Sequence, residues 1–219
     1  MESDILNEAL RPCDMSLRIS RKPASCNPPG GSATAVTIIV LCRDNAHELG
    51  QTLRSLEHAG LPNRAEILIA DGSCTDCCQR VFDDWILSLA NTSACAWKVH
   101  RVWMLPMGVY PAFNRSIAIA TGDWLAFMNS GDVYLSGGLA LLLDAATSAP
   151  ASLRAVVGQA WVICPDTGVR WLTPDPAVER MSRWLKHMVP CHQAMLFARD
   201  FALRHSYPQH SGASGDRIV

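Results

Sequence analysis

Between residues 36 and 129 short apolar runs alternate with segments of helical spacing, and no other feature of this 219-residue sequence restricts the fold as strongly. "VTIIVLC", Val36 to Cys42, is a β-branched run of the kind buried on both faces of a parallel sheet. The next segment, "HELGQTLRSLEHAG", sets Leu49, Leu53 and Leu56 at helical spacing, with Asp44 or Asn45 as N-cap and Gly60 as stop. "AEILIA" reads as a second strand ending at Asp71. A helix follows, capped by Thr75 or Asp76 and carrying Val81, Trp85, Ile86 and Leu89 on its apolar side. "WKVHRVWML" is a third strand. Pro111 suits the first turn of a helix bearing Phe113, Ile117 and Ala120, and Gly122 separates that helix from the strand "WLAFMN".

The expected class is therefore α/β, a mostly parallel sheet flanked by helices with right-handed crossovers. Ligands of such sheets bind at the carboxyl ends of the strands. Asp44, Asp71 and Asp132 each stand just past such an end, so three carboxylates distant in sequence are expected along one edge.

The regular pattern begins near residue 35. Residues 1–34 hold Pro12, Pro23, Pro28, Pro29, Gly30 and Gly31 without a sustained period and read as a flexible arm, leaving 35–219 as one domain. Arg11, Arg18, Arg21 and Lys22 on that arm read as solvated charges. Nineteen basic residues against 20 acidic ones leave a formal charge of -1, which provides no general attraction for nucleic acid. The longest apolar runs fall far short of the roughly 20 residues that span a bilayer, and the acidic start of the chain lacks a signal core. The expected location is the cytoplasm.

A reducing compartment leaves the nine cysteines as thiols. Cys74, Cys77 and Cys78 form a CxxCC that could hold zinc together with His100 or Cys95, but a second spaced pair is missing, and free thiols are expected.

No GxGxxG follows the first strand and no GxxxxGK[ST] occurs, so a phosphate must be held by other means. A divalent cation bridging diphosphate oxygens to a carboxylate is one. Four segments, "VTIIVLCRDNAHELGQTLRSL", "ILIADGSCTD", "GVYPAFNRSIAIATGDWLAFMNSGD" and "VPCHQAMLFARD", resemble in this order the family-2 glycosyltransferases with the GT-A fold. The similarity covers about residues 36 to 216 and is nearest to bacterial enzymes of exopolysaccharide, O-antigen or colanic-acid assembly.

The resemblance implies a sugar donor carried on a nucleoside diphosphate and a saccharide or lipid-linked acceptor. A lipid-linked acceptor would bring the protein peripherally to the inner face of the membrane. "MNSGD" stands where the family has its metal motif, which makes Asp132 the expected ligand of Mg²⁺ or Mn²⁺, with Asn129 in place of the commoner first carboxylate. Asp71 matches the aspartate that accepts a hydrogen bond from the base. Asp44, beside Arg43, falls in the loop that shapes the nucleoside pocket. Tyr110, Asn114 and Arg115 match a donor-facing segment, with Asn114 as the binding residue. His192 and Gln193, at the start of a late strand, match positions near sugar and acceptor, and Asp216 matches the base that deprotonates the acceptor hydroxyl. Asp216 lies three residues from the end, where similar proteins continue with further helices, so the chain reads as shortened.

Without the resemblance, Asp132 reads as a cap for a helix near 136 to 146, Asp71 as a turn former and His192 as a structural histidine. Two other functions stay open: a nucleotidyltransferase, although its Gly-rich basic loop is missing, and a degenerate GT-A domain acting as a nucleotide-binding or scaffold subunit. No GxSxG elbow supports a hydrolase.

Overall fold

The computed structural model describes residues 19–21, 35–90, 92, 96–173 and 191–208. The expected alternation is present: β2 (Val36–Cys42), α1 (Ala46–Leu56), β3 (Ala65–Asp71), α2 (Cys77–Leu89), β4 (Lys98–Trp103), α3 (Val109–Ile119) and β5 (Trp124–Asn129) follow one another. All seven residues of β2 and of β3 are buried, as expected of strands covered on both faces.

A short strand, β1 (Ile19–Arg21), precedes them within the segment read as an arm. The later elements are α4 (Gly138–Ser148), β6 (Ala155–Val157), β7 (Ala160–Ile163), β8 (Arg170–Thr173), β9 (Met195–Ala198) and α5 (Arg199–Arg204). The main sheet runs β1-β4-β3-β2-β5-β9-β6. Strands β4, β3, β2 and β5 are mutually parallel, whereas β1, β9 and β6 join by antiparallel pairing. A separate hairpin, β7–β8, carries the exposed Trp161 and Trp171.

Strand alternation divides the core in two. Val36, Ile38 and Val40 of β2, with Ile67 and Ile69 of β3, pack under Leu49, Leu53 and Leu56 of α1, Phe82 and Leu89 of α2, and Leu139 of α4. On the other face Ile39, Leu68 and Phe127 pack against Phe113 and Ile117 of α3, together with Ala202 and Tyr207 near the end of the described chain.

The amino-terminal edge is fixed by a polar row. Thr37, Glu66 and Lys98 are register partners across β2, β3 and β4. The buried Glu66 carboxylate accepts from Lys98 Nζ at 2.6 Å, from Thr37 Oγ1 at 2.5 Å and from the Thr121 N–H at 2.6 Å. Burial alone would raise its pKa, but these bonds and the Lys98 charge hold it below the usual carboxylate value. Gly122 packs against the same edge, where an added Cβ would lie 2.4 Å from the Thr37 nitrogen.

Candidate functional site

Chain order reverses direction at β2: the first crossover leads outward to β3, while β5 lies on the other side of β2. Such a switch point leaves a crevice at the carboxyl ends of the strands. A cleft of about 280 Å³ occupies it. Arg43 and Asn45 come to it from the loop after β2, Gly72 from the loop after β3, and Asn129 with Ser130 from the end of β5. The segment Met104–Val109 supplies a mostly apolar wall.

The loops around the cleft hold one another. Asn45 precedes α1 but makes no side-chain cap to it. Its Oδ1 accepts the Arg43 N–H at 3.1 Å and its amide donates to the Ser130 hydroxyl, which ties the β2 and β5 loops together. Asp44 has a φ of 51°, a left-handed conformation seldom adopted by residues other than glycine. It is kept there by a reciprocal pair of bonds: its N–H donates to Ser73 Oγ at 2.8 Å, and its Oδ1 accepts the Cys74 N–H at 2.9 Å. Asn45 and Ser130 went unnoticed as site residues in the sequence, because a helix-capping position explained the first and only the sheet order joins the two.

Asp132 closes a tight turn at the end of β5. Its Oδ2 accepts the Asn129 N–H and its own N–H donates to the Asn129 carbonyl, both at 3.0 Å. Thr52 of α1 secures this turn by donating to the Asp132 carbonyl at 2.8 Å and accepting the Gly131 N–H at 2.9 Å. Asp132 does not cap the following helix: α4 begins after Gly137, in left-handed conformation and without a side-chain cap. Burial raises the pKa of the Asp132 carboxyl, with the Asn129 N–H working in the opposite direction. Among the described residues no lysine or arginine pairs with it. A half-buried carboxylate lacking a cationic partner, next to a cleft, suits a hard divalent cation.

Asp71 is oriented differently from what its place at a strand end suggests. Register and alternation put its side chain on the α1/α2 face with Ile67 and Ile69, whereas Ala70 and Gly72 border the cleft. The carboxylate is fully buried; Oδ2 accepts Arg101 Nε at 2.7 Å and Oδ1 accepts the Ser73 N–H at 2.8 Å. Asp44, Asp71 and Asp132 thus occupy one sheet edge, but each carboxylate is engaged by its own partners.

Asn114 is committed to the backbone of Tyr207, donating to its carbonyl at 2.8 Å and accepting its N–H at 2.9 Å. His192, in a 3-10 turn (His192–Ala194) just before β9, is buried in an aromatic cluster. Its ring stacks on Phe127 with centroids 4.9 Å apart, and Nε2 bonds the Tyr207 hydroxyl. Gln193 Oε1 accepts the Cys191 thiol at 3.2 Å. Asn114, His192 and Gln193 are not among the residues lining the cleft. Asp216 lies outside the described residues.

The zinc set suggested by the CxxCC changes as well. His100 turns to Glu66, 3.4 Å away, and Cys95 lies outside the described residues. Among the described residues, the metal-ligand types that gather are Cys42, Asp71 and Cys78.

A mostly parallel sheet with helices on both faces and a cleft at its switch point defines an α/β nucleotide-binding domain of the GT-A type. The profile of glycosyl transferase family 2 matches residues 37–206, and the chain belongs to that family. Among solved structures it is similar to the mannosyltransferase PcManGT from Pyrobaculum calidifontis in complex with GDP-Man and Mn²⁺, with 16% identity and a TM-score of 0.59. That match covers 96% of this chain and 55% of the other. It is also similar to S. aureus TarS in complex with UDP, with 16% identity, a TM-score of 0.59 and coverage of 84% and 53%. The TarS complex with UDP-GlcNAc matches at 16% identity and a TM-score of 0.54, covering 80% of this chain and 48% of that one. The chain spans about half the length of these structures.

Proposed function

We propose that the protein transfers a sugar from a nucleoside-diphosphate donor to an acceptor hydroxyl, with inversion, in polysaccharide or glycolipid assembly. The acceptor oxygen bonds to the anomeric carbon as the bond to the diphosphate breaks; the nucleoside diphosphate leaves and the hydroxyl proton passes to a base. The observation that carries this reading is the cleft at the β2/β5 switch point, with the Asp132 carboxylate, which pairs with no lysine or arginine among the described residues, in the turn that follows Asn129.

Asp132 would hold Mg²⁺ or Mn²⁺, which when bound offsets the charge of the leaving diphosphate. Asn45, Asn129 and Ser130 supply hydrogen-bonding groups around the cleft. Asp44 and Asp71 belong to the nucleoside side, Asp44 by shaping the loop and Asp71, from behind it, by holding the Ser73 N–H, whose hydroxyl in turn accepts the Asp44 N–H. Asn114 contributes by positioning Tyr207 and through it His192. His192, held in its aromatic cluster, acts on the sugar and acceptor side as a positioning residue beside Gln193, and Asp216 takes the acceptor proton. The acceptor is a saccharide or lipid-linked saccharide, the latter met peripherally at the inner face of the membrane; among the described residues no helix is long and apolar enough to cross it.

Calorimetric titration of the purified protein with UDP, GDP and dTDP in the presence of Mn²⁺ tests the reading. Binding of one of them, weakened when Mn²⁺ is omitted, is expected. Binding of none would overturn it in favour of a scaffold domain.

A further inference from the structure

At the wall of the cleft, of which Cys42 forms part, two thiols and a carboxylate meet in the core on the α1/α2 face. Cys42 ends β2, Asp71 is its register partner at the end of β3, and Cys78 lies in the first turn of α2. One donor atom from each lies within 4.8 Å of the other two, and all three residues are buried. Cys77 Sγ stands 4.0 Å from Cys78 Sγ and is half-buried. The sugar-transfer reading assigns no task to these sulfurs.

We propose that Cys42, Cys78 and Asp71 form a site for a thiophilic divalent cation, Zn²⁺ by preference, separate from the cation assigned to Asp132.

Donor chemistry sets the preference. Thiolates favour zinc over magnesium or manganese, which take oxygen ligands. A tetrahedral zinc with Zn–S of about 2.3 Å and Zn–O of about 2.1 Å places its donors about 3.6–3.8 Å apart. The three residues therefore need to close by about an ångström at most. Charge balance fits as well: two thiolates and the Asp71 carboxylate carry three negative charges, which a divalent cation and the Arg101 guanidinium on Asp71 neutralise. A buried site requires such cancellation.

Bound there, zinc would join β2, β3 and α2 directly below the loops Arg43–Asn45 and Gly72–Cys74, and act as a structural brace for the cleft. The CxxCC sequence gives only part of this set, since Cys42 lies more than thirty residues upstream of it.

The test is metal analysis of the full chain purified without chelator from zinc-supplemented cells, beside a Cys42→Ser/Cys78→Ser variant and Asp132→Ala. About one zinc per chain is expected in the parent and in Asp132→Ala, falling at least tenfold in the double variant. Should the double variant not fold, Co²⁺ added to the chelator-treated parent provides the second measurement, with thiolate-to-cobalt charge-transfer absorption near one equivalent expected. Trace zinc and no such absorption in the folded parent would overturn the proposal. So would full zinc retention in the double variant, which would place the metal on other cysteines. Nucleotide binding is read separately, so the donor site can fail without this site failing, and the reverse.

Discussion

Arg101 donates its Nε to Asp71 at 2.7 Å across neighbouring strands, and both side chains are almost entirely withdrawn from solvent. Removing one partner of a buried ion pair leaves an uncompensated charge, a loss of about 3–5 kcal/mol. Arg101→Ala is therefore expected to lower unfolding stability by about that amount in denaturant titration. A loss below about 1 kcal/mol would mean that Asp71 is compensated in another way.

Asn114 holds the backbone of Tyr207 by one bond in each direction. Two half-buried bonds at about 1 kcal/mol each predict that Asn114→Ala loses up to about 2 kcal/mol of stability. Thermal unfolding without ligand checks this. Unchanged unfolding together with weakened nucleotide binding would instead make Asn114 a ligand contact.

Glu66 predicts an acid limb. Its carboxyl pKa is lowered in the fold, so its contribution is complete above the unfolded value of about 4.3 and is lost as pH falls through the folded value. Glu66→Gln should lose about 1.5–3 kcal/mol near neutrality, because it removes hydrogen bonds to a charged group. The difference from the parent should shrink steadily below about pH 4. Unfolding curves across pH 2.5–7 measure it, and a pH-independent difference would contradict the assignment.

Asp132 gives the opposite sign. Its pKa is raised in the fold, so without a cation its ionisation destabilises the native state, and stability declines as pH rises through the window above the unfolded value. Asp132→Asn keeps an acceptor for the Asn129 N–H and should melt a few degrees above the parent near pH 7, the gap closing below about pH 4. Mn²⁺ should raise the melting point of the parent alone. A variant that melts lower than the parent at neutral pH would show that the ionised carboxylate is compensated.

Much of the scaffold was legible because its signals are local. The β-branched run at Val36–Cys42, the leucine spacing of α1 and the place of Pro111 in the first turn of α3 each depend on neighbours in sequence. Asp132 stood out for the same reason, as a lone carboxylate just past a strand end. What remained hidden depends on partners far along the chain. Asp71 turns from the cleft because strand alternation faces it towards Cys78 and because Arg101, thirty residues on, lies on the adjacent strand. Asn114 finds Tyr207 at a separation of 93 residues, and Asn45 finds Ser130 at 85. The strand β6, the antiparallel sense of the late strand β9 and the pairing of β1 with β4 leave no periodic mark in the sequence.

The most direct measurement is the Mn²⁺ dependence of nucleoside diphosphate binding in the parent and in Asp132→Asn, by calorimetry at neutral pH. If Asp132 holds the cation beside the cleft, Mn²⁺ tightens binding in the parent, and the variant loses that gain while keeping its weaker metal-free binding. Equal tightening by Mn²⁺ in both proteins would contradict the assignment of Asp132 as the cation ligand.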